Sequence, residues 1–352
     1  MKQLVLHPYF QAPRHDLKRA MVKEGSGKLI FVVGPTGVGK TTVRQLVLRE
    51  LVGKPELWGQ GRIPVVEVMA LLGKNAYFNS KHLVNMIFEE LYAPRLKWLS
   101  ASEEAQKSLK KFNDELEPSR TFWRDGYVRD EVESTRWSRV GNMIEARGTW
   151  MVCIDQAAAL RKNHRNTEAA DHIENLMSFA EQYRTNFLLC GVESAVALWE
   201  SRPEVRRRAK IIFMPPYSDK RRQDREPFLR VLQNMELRFP VSKAGLLTKL
   251  APDLLAASAG SYGVLERILD DAADACALSG KGVIEHADIE GAYYSDREHK
   301  RLWTNVREFE ELMAEASISE RSSEIAARWN IGAKKNVGDT PSSATPGQGN
   351  IT

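Results

Sequence analysis

The run from Gly34 to Thr41, reading GPTGVGKT, constrains this chain more than any other feature. Gly34, Gly37 and Gly39 let the backbone turn tightly and aim successive N–H groups inward, which makes a concave anion site at the start of a helix. Lys40 is spaced to reach the β- and γ-phosphates of a bound nucleotide, and Thr41 to ligate Mg²⁺. The expected contact set for ATP or GTP is therefore Gly34, Pro35, Thr36, Gly37, Val38, Gly39, Lys40, Thr41 and Thr42. The flanks agree with the loop. Lys28 to Val33 is a short apolar run suited to a buried parallel strand, and Thr42 to Leu51 has the apolar spacing of a helix.

Further apolar runs repeat this alternation. Pro64 to Met69, Trp150 to Ile154, Asn186 to Cys190 and Lys210 to Met214 read as strands, and Asn79 to Tyr92 as an amphipathic helix with an Asn/Ser start. Strands alternating with helices imply an α/β fold, a parallel sheet flanked by helices, with ligands at the C-terminal ends of the strands. Arg95 to Arg139 is dense in Lys, Arg, Glu and Trp and reads as a helical insertion. From Tyr217 the pattern is helical, with an Ala-Gly-Ser-Tyr-Gly turn at 259–263 and a helix from Val264 to Leu278, as in a helical lid. Residues 296–331 continue as a charged helix, and the last twenty are expected to be disordered. The expected organisation is an N-terminal segment 1–26, a nucleotide-binding domain 27–216, a lid 217–295 and a C-terminal helix and tail 296–352.

Asp155 closes the third strand. An apolar strand ending in Asp places a carboxylate beside the phosphates, where it orients Mg²⁺ through its water shell. Thr41 and Asp155 are thus the candidate metal residues.

A chain of 352 residues, 43% hydrophobic and 28% charged, can bury one large core or two modest ones. No apolar run approaches the roughly 20 residues that span a bilayer, and the stretch before His7 and Pro8 is too short for a secretory signal, so a cytoplasmic protein is expected. Cys153, Cys190 and Cys276 lie in apolar or Ala-rich runs without metal-ligand spacing, which predicts buried free thiols. The net charge of +5 is uneven: Ser201 to Pro240 alone carries a net +6. That region invites an anionic partner, a neighbouring subunit's nucleotide or nucleic acid.

With loop, strand-Asp-Gln element, fourth strand and lid in this order, the chain resembles an AAA+ ATPase. More narrowly, HPYFQA at 7–12, IFVVGPTGVGKTT at 30–42, CIDQAAAL at 153–160, LLCGVESAVAL at 188–198 and VRRRAKIIFMPPY at 205–217 resemble the TnsC, TniB and MuB transposition regulators. The likeness covers about residues 5 to 290. It implies an ATPase that binds ATP and Mg²⁺, forms a homo-oligomeric ring or helical filament on duplex DNA, and recruits transposase to a site marked with a target-selection protein. An origin-recognition or secretion-type AAA+ switch acting mainly on protein partners is the alternative, for which a winged-helix module after the lid would speak. The C-terminal helix and tail read as a partner-docking segment.

The resemblance also assigns residues. AAA+ proteins usually place Glu after the strand-end Asp to polarise the attacking water, and here Gln156 stands there. Gln cannot accept the proton, so hydrolysis is expected to fall by roughly 10²–10⁴-fold while ATP binding survives. The exchange fits either a natural binding-only switch or a change made to trap the ATP state. Arg208, with Arg207 second, matches the arginine that reaches a neighbour's γ-phosphate. Arg267 matches the lid arginine, one residue off the commonest spacing from Gly263. After the fourth strand the family often has a polar residue following Gly; here the apolar Val192 stands there instead, with Glu193 and Ser194 next. Candidate DNA contacts are Lys74, Asn75 and Lys81, with Arg120, Arg124, Arg136 and Arg139 in the insertion. Trp123 and Trp137 read as packing anchors.

Overall fold

The structure is a computed structural model that describes residues 8–23, 25–73, 77–99, 102–125, 131–162, 169–200, 202–315 and 328–329. The chain divides into a unit ending at Glu311 and a second beginning at Leu312. Of the latter, the described residues are the end of a helix and the pair 328–329.

The first unit begins with α1 (Pro8–Val22), whose Phe10, Leu17 and Met21 are buried along one face. Then come β1 (Leu29–Val33), α2 (Lys40–Val52), β2 (Val65–Met69), α3 (Ser80–Tyr92), α4 (Glu103–Asp125), α5 (Glu133–Arg147) and β3 (Met151–Asp155). They are followed by α6 (Ala169–Gln182), β4 (Phe187–Gly191), α7 (Pro203–Arg208) and β5 (Ala209–Phe213). All five strands are parallel, in the order β2-β3-β4-β1-β5. Every residue of β1 and β4 is buried, whereas the edge strands β2 and β5 carry partly exposed positions. A strand covered on both faces must be apolar throughout, which is why the central runs stood out in the sequence. Each strand lies within one residue of its predicted span.

The helices differ from expectation in two places. The N-terminal segment contains α1, a helix with Pro13 inside it. The predicted insertion splits: α5 packs on α3 and leads directly into β3, burying Val140, Met143 and Ile144. It therefore belongs to the layer that covers the sheet.

A second apolar core follows. It is built from α8 (Arg225–Glu236), α9 (Leu246–Lys249), α10 (Ala251–Ser258), α11 (Tyr262–Leu278), α12 (His286–Gly291) and α13 (Asp296–Glu315). Phe228, Leu232, Leu254, Leu265, Leu269, Ile289 and Val306 lie at its centre. Tyr217 N–H donates to the Gly260 carbonyl (3.0 Å), tying the start of this helical subdomain to the turn before α11. The parallel-sheet core with its helical lid is thus present. The predicted continuation of the charged helix beyond residue 315, and the C-terminal tail, lie outside the described residues but for Arg328 and Trp329.

Candidate functional site

A cleft of about 800 Å³ opens at the C-terminal ends of β1, β3 and β4, as the topology requires. Thr36, Gly37, Gly39, Lys40, Thr41 and Thr42 line it from the loop and α2, Asp155 and Gln156 from the end of β3, Gly191, Val192 and Ser194 from the end of β4, and Gly263 from α11. Gly34, Pro35 and Val38 are buried beneath the loop. A Cβ on Gly34 would stand 2.4 Å from the Met214 carbonyl, and Gly37 and Gly39 have φ of 84° and 93°. Gly34 thus has no room for a side chain, and Gly37 and Gly39 hold left-handed angles that favour glycine.

Lys40 curls over the loop and donates to the Gly34 and Pro35 carbonyls, both at 2.7 Å. Burial lowers its pKa from the ordinary lysine value, with Asp155 and Glu193 pulling the other way. The Thr41 hydroxyl donates to Asp155 Oδ2 (3.0 Å), and the Gln156 N–H to Asp155 Oδ1 (2.9 Å). Burial alone would raise the Asp155 carboxyl, but the Arg44 charge and these hydrogen bonds outweigh it and hold it below its usual value. Gln156 is exposed, at φ 55°, and lines the cleft. A cradle formed by loop backbone, a lysine aimed into it and a hydroxyl–carboxylate pair fits a nucleoside triphosphate with Mg²⁺. Thr41 and Asp155 would hold the ion's shell, and Lys40 the phosphates.

Two residues of this network escaped the sequence reading. Arg44, one turn after Lys40, places Nη1 2.9 Å from Asp155 Oδ2 and Nε 2.7 Å from Glu67 Oε1. Arg44 and Glu67 side chains are 5% and 7% exposed. Burial pushes the Glu67 carboxyl up against the pull of Arg44. The sequence did hold one signal, a single acid inside the apolar strand Pro64 to Met69.

Arg208 lies at the other end of the sheet. Its neighbour Ala209 pairs with Leu29, the first residue of β1, and the loop begins after Val33, the last. Those four steps of strand amount to about 13 Å. Arg208 is ion-paired with Glu181 of α6, and Arg207 beside it is exposed. Arg267 does not line the cleft; it pairs with Asp271 (3.8 Å) and sits over the Tyr294 ring (5.9 Å).

The basic residues considered for DNA are scattered. Lys74 and Asn75, like the Arg124 side chain, lie outside the described residues, and Lys81 is half-buried in the first turn of α3. Arg120 is engaged inside the protein, donating to the Tyr92 carbonyl (2.9 Å), Glu117 (2.7 Å) and Asn113 (2.5 Å). Arg136 is buried against Asn85, and Arg139 pairs with Glu131 (2.6 Å). These three arginines fasten α4 and α5 rather than facing outward. Trp137 packs on Phe179 and donates to the Ser80 hydroxyl (3.1 Å), and Trp123 stacks edge-on with Phe122. A second pocket of about 440 Å³ lies between α3, α5 and α6, walled by Phe78, Trp137, His172 and Phe179. Cys153, Cys190 and Cys276 are buried free thiols. No described helix is long and apolar enough to cross a membrane.

Loop, hydroxyl, carboxylate and lid define a P-loop nucleotide site of the Walker type. The AAA domain family profile matches residues 23–198, half of the chain, and the protein belongs to that family. Its fold is similar to that of the ORC2 protein of Aeropyrum pernix in its ADPNP–ADP complexes, at 15% identity over 83% of this chain and 70% of that one, with a TM-score of 0.52. It is also similar to Cdc6p of Pyrobaculum aerophilum, at 14% identity over 83% of this chain and 67% of that one, with a TM-score of 0.54. No curated protein matches the sequence.

Proposed function

We propose that the chain is an ATP-driven AAA+ switch that holds ATP·Mg²⁺ between neighbouring subunits and, so assembled, acts on duplex DNA with protein partners. One observation carries this reading: Lys40, Thr41 and Asp155 converge at one end of the sheet while Arg208 stands at the other. An arginine so placed serves a nucleotide only across a subunit boundary, and such head-to-tail contacts generate rings or helical filaments. ATP then stabilises the interface, and assembly multiplies weak phosphate contacts, so DNA affinity follows ATP. With Gln156 in place of Glu, this chain binds ATP and turns it over slowly.

Two finer readings divide on what is assembled. The likeness in fold to ORC2 and Cdc6p, lid included, supports an origin-recognition type of switch. The segments GPTGVGKTT and VRRRAKIIFMPPY support a transposition regulator that coats DNA and recruits transposase. Negative-stain microscopy of the protein on duplex DNA, with and without ATP, tests the shared core: ATP-dependent rings or filaments are expected, with binding that weakens as salt rises. A protein that stays monomeric on DNA with ATP overturns it. Competition between unrelated duplexes separates the finer readings, since a sequence-indifferent coat favours the transposition regulator and a selective complex the origin type.

A further inference from the structure

Asp155 presents one oxygen to two unlike groups. Its Oδ2 accepts from the Thr41 hydroxyl at 3.0 Å and faces Arg44 Nη1 at 2.9 Å. A guanidinium there holds the carboxylate in one orientation, and it also sets a fixed positive charge where a divalent cation must approach. Glu67 answers that charge. It meets Arg44 Nε at 2.7 Å from β2, and its other oxygen, Oε2, is buried without a hydrogen-bond partner. A buried pair that leaves a carboxylate oxygen unsatisfied costs stability, and an apolar pair of similar volume would do as well or better for the fold alone.

We propose that Arg44 and Glu67 form a charge-balanced clamp that positions Asp155 for Mg²⁺: Arg44 orients the carboxylate, and Glu67 keeps Arg44 from competing with the ion. The inference rests on the ATP reading of the cleft. Both are positioning residues, acting through Asp155. The fork of the guanidinium is essential, because one side chain must face Glu67 and Asp155 at once.

The test is binding of a fluorescent ATP analogue, measured in EDTA and across a Mg²⁺ titration, with thermal melting as the control for folding. Glu67→Gln is expected to weaken apparent Mg²⁺ affinity about tenfold or more, the usual effect of losing a partner behind a metal ligand. Binding in EDTA should stay within about threefold of the unaltered chain, since the phosphate cradle is untouched. Adding Arg44→Met to Glu67→Gln removes the unbalanced charge and should recover about threefold or more of the lost Mg²⁺ affinity. Arg44→Lys, which keeps the charge without the fork, serves if Glu67→Gln fails to fold; it should lose Mg²⁺ affinity with EDTA binding unchanged.

Equal losses in EDTA and Mg²⁺, or a double variant no better than Glu67→Gln, would overturn the clamp while leaving the ATP reading intact. Failure of the unaltered chain to bind the analogue under either condition would overturn the ATP reading, and the clamp with it.

Discussion

Gly263, at the start of α11, donates its backbone N–H to the Gly37 carbonyl at 2.7 Å. The lid thus closes directly on the loop that would cradle phosphates, with backbone against backbone. A Cβ at position 263 would stand 2.9 Å from that oxygen and 3.2 Å from the Gly37 Cα, so even alanine must push lid and loop apart. Gly263→Ala is expected to weaken ATP-analogue binding about tenfold, or ~1.4 kcal/mol. Calorimetric titration checks it, and an unchanged affinity would make the contact incidental to nucleotide binding.

Gln156 follows Asp155 in a left-handed conformation, exposed at the cleft. If this position serves the attacking water, as the AAA+ resemblance implies, the function that Gln156 lacks is the carboxylate. Gln156→Glu is expected to raise ATP turnover at least about tenfold, the lower end of what a general base contributes. Phosphate release measured side by side decides the matter; equal rates would show that Gln156 does not limit turnover.

The sheet and the loop were legible in the sequence because their physics is local. Buried strands need apolar runs, and a phosphate cradle needs glycines at fixed intervals before Lys and Thr. What was not legible depends on distant partners. Arg120, Arg136 and Arg139 register as positive charge, yet the Tyr92 carbonyl, Asn85 and Glu131 turn them inward. Sequence counts charges and does not aim them. Arg44 was hidden for the same reason, since a helix arginine reads as surface until β2 is set beside β3 and Glu67 comes under it. The N-terminal segment showed no helix of its own in the sequence, and α1 takes its place packed on α2 and β5.

His172 gives a pH dependence. Burial pushes its imidazole below the ordinary value, although Asp171 and Glu133 pull it up, and its ring meets Phe78 edge-on at 4.8 Å. The neutral ring is the form the fold favours. Its contribution is therefore complete above the unfolded value of about 6.5 and is lost as pH falls from there through the folded value. Melting temperature should fall more steeply between pH 7.5 and 5 for the unaltered chain than for His172→Gln. Parallel curves would show that His172 stays uncharged or unstrained across that range.

Arg208 and Lys40 must come from different subunits if the nucleotide sits at an interface. In a Gln156→Glu background, Lys40→Ala removes the cradle's cation and Arg208→Ala the arginine that would cross from the neighbour, so each variant alone should hydrolyse little ATP. Mixed, the two complement: an Arg208→Ala subunit keeps its loop, and a Lys40→Ala neighbour still offers Arg208. With random head-to-tail assembly about a quarter of the interfaces are intact, and that fraction of turnover should return. The Glu181 ion pair must open for this, so Glu181→Gln should leave complementation intact or raise it. Turnover that stays at the level of the separate variants would place Arg208 outside the nucleotide site.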